Sequence, residues 1–127
     1  MMPRRDNPEE QLQRAVVEYL RRTRPDCVWF FVNNGARLSK AQAGKAIGTG
    51  VLPGVADLVF VLPGGRVGFI ELKAPKGRAT LTHTQIDFGL NVTELGAFYD
   101  TGRSIEDVRR TLKTWGVTFA HARGRAA

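Results

Sequence analysis

One cysteine, two histidines and no long apolar run set the first limits on this chain of 127 residues. The single thiol, Cys27, allows no internal disulfide and fits a reducing interior. It lies in an apolar run, where a free cysteine acts as a small hydrophobe. His83 has no second histidine at metal-ligand spacing, because His121 falls in the basic tail, so His83 reads as a first-turn surface residue. No apolar stretch approaches the roughly 20 residues of a membrane helix. Arg4 and Arg5 are not followed by the apolar segment of a signal peptide, so a cytoplasmic location is expected. No internal repeat and no low-complexity segment longer than the tail is present. Acidic residues are in deficit, 12 against 19 Lys and Arg, for a net charge of +7. A small domain this basic suits a polyanionic partner, most often nucleic acid.

Against that basic background, two acids stand out in residues 54–73. The segment reads Gly54-Val55-Ala56-Asp57, an apolar run, Pro63-Gly64-Gly65, a second apolar run, then Glu71-Leu72-Lys73. Two β-rich runs, 55–62 and 66–73, flank hairpin punctuation. A three-residue loop pairs Leu62 with Arg66, and counting outward sets Asp57 opposite Glu71. Side chains alternate in a strand, so Asp57, Glu71 and Lys73 then share one face. A two-residue loop would instead pair Asp57 with Leu72 and turn Glu71 to the other face. The longer loop is preferred because it leaves both faces otherwise apolar, as in strands covered on both sides. Directly opposed carboxylates, with Cβ atoms roughly 5 Å apart, repel one another. A divalent cation between them is the natural remedy.

The remaining elements follow from punctuation and periodicity. Asn7-Pro8-Glu9-Glu10 predicts a helix start, with Asn7 as N-cap, Pro8 at the first position and Glu10 closing a capping box. The helix runs to about Arg22, with Leu12, Ala15, Val16, Tyr19 and Leu20 as its apolar stripe. Glu9 falls on that stripe; it either joins the acidic site or merely favours the helix N-terminus. Residues 27–32 predict a strand, stopped by Asn33-Asn34-Gly35. The stretch 36–50 carries Arg37, Lys40 and Lys45 and is either a phosphate-touching flap or a solvated loop, with a short helix possible from Ser39 to Ile47. A basic turn at Lys76-Gly77-Arg78 precedes a helix opened by Thr82 and reaching Glu94, with Leu81, Ile86, Leu90 and Val92 among its apolar positions. Gln85 is claimed twice there: by a Thr82…Gln85 capping box and by the Glu71/Lys73 site. A strand at 96–100 and a helix from Ser104, stopped by Gly116, complete the chain. The result is one α/β domain over a small mixed sheet with flanking helices, in the order αβββαβα. Its parts are an N-terminal arm (1–7), the domain (8–116) and a basic tail (117–127).

The pairing of Asp57 with Glu71-Leu72-Lys73, fourteen residues on, resembles the signature of the PD-(D/E)XK, or restriction-endonuclease-like, nucleases. Glu9 with Leu12-Gln13, Asn34-Gly35, Gly54…Asp57, Gln85 and a last helix ending at Trp115 are similar to the VRR-Nuc branch. One departure is Ala56, where the family often has Pro just before the Asp. Its side chain points away from Asp57, so little chemical consequence is expected. The resemblance implies a metal-dependent DNA endonuclease using Mg²⁺ or Mn²⁺. Asp57, Glu71, the Leu72 carbonyl and Glu9 would hold the ion, with Lys73 and Gln85 beside the reacting phosphate. Arg37, Lys40, Lys45, Lys76 and Arg78 would grip DNA. Similarity to stand-alone phage and microbial members further implies a homodimer resolving four-way (Holliday) junctions, in a bacterial or phage-infected cell. The alternatives are a sequence-specific restriction or nicking nuclease, and a non-catalytic basic nucleic-acid-binding module.

Overall fold

The computed structural model describes residues 7–32, 40–76 and 80–120. Helix α1 (Pro8–Thr23) begins where Asn7 Oδ1 accepts the Glu10 N–H at 2.8 Å. The Glu10 carboxylate meets the side-chain amide of Asn7 at 3.4 Å, so it does not complete the reciprocal capping box that the spacing predicts. Arg24, in the left-handed region (φ 49°), ends the helix by returning its N–H to the Leu20 carbonyl.

Four strands follow: β1 (Val28–Phe31), β2 (Leu58–Val61), β3 (Val67–Leu72) and β4 (Phe98–Gly102). They lie side by side in chain order, the first three antiparallel and β4 parallel to β3. A parallel neighbour needs a crossover, supplied here by helix α3 (His83–Glu94). Helix α4 (Ile105–Thr114) closes the domain, and helix α2 (Lys40–Gly48) joins β1 to β2. The αβββαβα order therefore gains one short helix, which buries no side chain of its own. β4 also runs two residues later than the 96–100 its apolar residues suggest, because Gly96 (φ 98°) is spent in the turn leaving α3.

The β2–β3 register is the one that decides the site. Val61 pairs with Val67 and Leu58 with Ile70, and the Leu62 N–H reaches the Arg66 carbonyl at 2.7 Å. A tight turn over Pro63–Gly65 makes the reversal, with Gly64 and Gly65 both at positive φ (84° and 80°). Continuing this register one step sets Asp57 opposite Glu71, as the three-residue loop predicts.

The two sheet faces are covered unequally. On one, Leu58, Phe60, Leu62, Ile70 and Leu72 pack against Leu12, Val16 and Leu20 of α1 and Val108 and Leu112 of α4. Each such side chain, fully withdrawn, contributes about 1.5–3 kcal/mol. On the other face α3 sets Phe88 edge-on against Phe69, ring centroids 5.0 Å apart. Cover on this face is partial: Val59 of β2 is buried, but Val28, Phe30 and Val61 at the far side are 65%, 48% and 42% exposed. Coverage of both faces, expected for the whole hairpin, holds toward its open end and fails at Val61, beside the turn.

Packing also extends past Gly116. Val117 and Phe119 are buried, and Phe119 bridges back to Pro25 and meets the Tyr19 ring. Residues 117–120 are thus part of the packed body rather than the tail, because the loop after α1 needs an apolar cover. Cys27 is half-buried, and burial pushes its thiol up to about 11, in keeping with an inert hydrophobe.

A small residue is required at one core position. A Cβ at Gly68 would sit 2.3 Å from the Trp115 ring, which stacks on Phe98 next to it. Gly68→Ala should therefore destabilise the fold by about 1–3 kcal/mol in urea unfolding, the usual cost of overpacking.

Candidate metal centre

Three elements converge on Asp57. The loop before β2 passes directly over the first turn of α3: a Cβ at Gly54 (φ 82°) would lie 2.2 Å from the Thr84 carbonyl oxygen. Only glycine fits both that contact and that dihedral. Ala56 is fully buried, which leaves Asp57 next along the chain at the mouth of the hairpin. Its Oδ2 accepts the Leu72 N–H at 2.8 Å, so the β3 backbone itself orients the carboxylate.

Glu71 lies opposite and is only 2% exposed. Its Oε2 accepts a hydrogen bond from Gln85 Nε2 at 3.2 Å, while its Oε1 is buried with no partner. Glu9, exposed on the first turn of α1, brings a third carboxylate: one oxygen each from Glu9, Asp57 and Glu71 lie within 4.8 Å of one another. Burial, then the adjoining Asp57 carboxyl, push Glu71 up to about 9; Lys73 opposes the shift and Glu9 adds to it.

Gln85 ties the remaining parts together. Its Oε1 accepts both the Thr82 N–H at 2.9 Å and Lys73 Nζ at 3.0 Å, while the Thr82 hydroxyl accepts the Gln85 N–H. The helix cap and the site therefore do not compete for this side chain. One carbonyl oxygen serves both, and the amide nitrogen remains for Glu71. Lys73, 9% exposed, donates to an amide instead of pairing with either acid. Ion pairing is seen instead on α4, where Arg109 meets Glu106 and Arg110 meets Asp107.

A cleft of about 270 Å³ opens onto the acids, lined by Asp57, Glu71, Gln85, Thr82, Thr84 and the 51–55 loop. A larger groove, about 800 Å³, follows the outer face of α1 between Glu10 and Arg22, and neither Asp57 nor Glu71 lines it. Of the basic side chains, Lys40, Lys45 and Lys76 are exposed and do not line the cleft. Arg37 and Arg78 lie outside the described residues, as does Asn33-Asn34-Gly35. His83 is exposed at the start of α3 and is not among the clustered acids.

Sequence reasoning missed the cleft-lining residues Val51, Leu52 and Pro53, and the aromatic neighbour Tyr99. The apolar positions it named on α3 are also not the ones that turn inward. Ile86 and Leu90 are 41% and 65% exposed, while Phe88 and Gly89 are buried beside Gln85. The spacing 85–88–89–92 was the available signal, hidden because its first member is polar and its third has no side chain.

No family model and no curated protein matches the chain by sequence. Three solved chains match it in three dimensions. One, titled "VRR_NUC domain protein", is 18% identical with a TM-score of 0.63, covering 88% of this chain and 90% of the other. The fold is that of a VRR_NUC domain. A second structure, "VRR_NUC domain", agrees at 17% identity and a TM-score of 0.56, over 85% of this chain and 97% of its own. The α/β class expected from the sequence, a small mixed sheet with flanking helices, is thus the observed one. In this VRR_NUC fold the clustered acids fall at the open end of the hairpin, between α1 and α3.

The Glu71 shift makes stability depend on pH with a definite sign. The folded chain keeps a proton up to about 9 that the unfolded chain releases near 4.5. The unfolded state then binds fewer protons, so the Glu71 contribution to stability is fully present below 4.5 and is lost as pH rises toward 9. Urea unfolding in chelator should show this decline, and Glu71→Gln should flatten it. An equally steep decline in the variant would point to other groups.

Proposed function

We propose that this chain is a VRR-Nuc-type, metal-dependent DNA endonuclease, hydrolysing phosphodiester bonds at the Asp57/Glu71 cluster. One observation carries the reading: the Glu71 carboxylate is buried, faces two other acids and keeps one oxygen free of any protein donor. With Glu71 giving up its proton in favour of a bound cation, three carboxylates against the Lys73 ammonium leave two negative charges, the complement of one divalent ion. An all-oxygen set suits a hard ion such as Mg²⁺ or Mn²⁺, which commonly takes one or two carboxylates and keeps several waters. Asp57, Glu71, the Leu72 carbonyl and Glu9 are the residues that would hold it. When bound, such an ion supplies an acidified water and offsets charge on the scissile phosphate.

The chain's own groups do the rest. Leu72 N–H and Gln85 fix the orientations of the two acids before any substrate arrives. Gln85 also holds Lys73 Nζ beside them, where the ammonium can orient the attacking water or stabilise negative charge on the phosphate. An amide is a suitable holder because it accepts from Lys73 without neutralising it. The alternative of a passive ion-pair network is disfavoured by that contact, since the ammonium bonds to Gln85 and to neither acid.

DNA is the substrate this reading names, gripped without sequence readout by Arg37, Lys40, Lys45, Lys76 and Arg78, with affinity falling steeply as salt rises. The finer form is a homodimer acting on four-way junctions, as the resemblance of the motif set to the VRR-Nuc branch implies. Among the described residues no helix is long and apolar enough to cross a membrane.

Asp57→Ala and Glu71→Ala should each abolish Mg²⁺- or Mn²⁺-dependent cleavage while leaving retention of DNA in a gel-shift assay near wild type. Full cleavage by either variant would remove the site assignment. Run on four-way, flap and linear DNA, the wild-type assay separates a junction resolvase from a restriction-type enzyme by which substrate is cut. Gln85→Glu keeps a side chain able to cap α3 but sets a carboxylate against Glu71. It should retain thermal stability in the presence of the cation and lose at least tenfold in cleavage rate. Retained turnover would confine Gln85 to capping.

A further inference from the structure

The described residues leave two buried side-chain oxygens without a hydrogen-bond partner, and both face the same side of the sheet. One is Glu71 Oε1; the other is the Tyr99 hydroxyl. Tyr99 sits on β4 in register with Phe69, two residues before Glu71 on β3. The parallel pairing and the alternation of side chains put the phenol on the carboxylate face. Its ring is wedged in place. Phe88 meets it with centroids 6.2 Å apart, and a Cβ at Gly89 would fall 2.9 Å from a ring carbon. Gly89 lies one helical turn beyond Gln85, so the face of α3 that orients Glu71 also seats the tyrosine.

Packing does not account for the hydroxyl. A phenylalanine would fill the same slot between Phe69, Phe88 and Gly89, whereas a buried hydroxyl without a partner costs about 1–3 kcal/mol. Burial comes first, then the charges of Glu71 and Asp57, in pushing the phenol up to about 12. It therefore stays protonated and able to donate.

We propose that Tyr99 is a positioning residue of the cation site: its hydroxyl hydrogen-bonds to the water of hydration of a divalent cation on the Glu71 side and so tightens cation binding. This rests on the cluster being a cation site at all. Outer partners of this kind are typically worth 10–100-fold in metal affinity.

The test is isothermal titration of Mn²⁺ into the chelator-stripped chain without DNA, comparing wild type with Tyr99→Phe and with Asp57→Ala as the loss-of-site control. In parallel, melting of both the wild type and Tyr99→Phe is followed in excess chelator. Tyr99→Phe should weaken Mn²⁺ binding by about tenfold or more, with a chelated melting temperature equal to or above wild type. Unchanged Mn²⁺ affinity in Tyr99→Phe, with Asp57→Ala silent, overturns the inference and leaves the site reading intact. A lowered melting temperature in chelator also overturns it, by showing that the hydroxyl serves the fold. A wild-type chain that takes up no Mn²⁺ overturns both readings together.

Discussion

The arrangement of this molecule follows from withdrawing one carboxylate from water while meeting only half of its hydrogen-bonding needs. Glu71 is held in place by a backbone register and by one amide donor, its second oxygen has no partner, and its carboxylate lies beside two further acids. Left to itself, such a group can relieve its cost only by taking up a proton, the direction in which burial and Asp57 push it. A cation offers a second relief without a proton. The fold therefore carries a stored preference for positive charge at one point, and the surrounding contacts keep that point from relaxing.

How much of this could be read from residues alone varied with the kind of interaction. The hairpin register was legible because Pro63-Gly64-Gly65 fixes the reversal locally, and register then fixes which side chains share a face. The caps of α1, α3 and α4 were legible for the same reason: Asn7, Thr82 and Ser104 act on backbone within three residues. What escaped was long-range. Ile86 and Leu90 stood out as apolar positions, but α3 turns Phe88 and Gly89 inward, where the Tyr99 ring on a distant strand takes the space. Nothing local to residue 99 signals that need. The contribution of Glu9 was likewise visible only as a position on a stripe, until the docking of α1 brought its carboxylate near the other two.

Gln85 shows how one residue can satisfy demands that look exclusive on paper. A capping box uses one acceptor, and a glutamine has a second lone pair on that oxygen and two amide protons besides. With Thr82 N–H and Lys73 Nζ both on Oε1, the nitrogen is free to face Glu71. The helix start and the acidic cluster are then parts of one hydrogen-bonded chain. Stiffness in the first turn of α3 passes directly to Glu71 on β3 and to Lys73 just beyond it.

The uneven covering of the sheet has a related logic. A second helix over β1 and β2 would bury Val28, Phe30 and Val61, but it would also crowd the mouth of the hairpin where Asp57 emerges. With α3 alone on that face, β3 is shielded enough to keep Glu71 dry while the neighbouring loop, seated on Thr84 through Gly54, leaves a cleft beside it. Burial of the acid and access to it are opposed requirements. They are reconciled here because the shielding comes from the α3 and β4 side, while the opening lies toward the 51–55 loop.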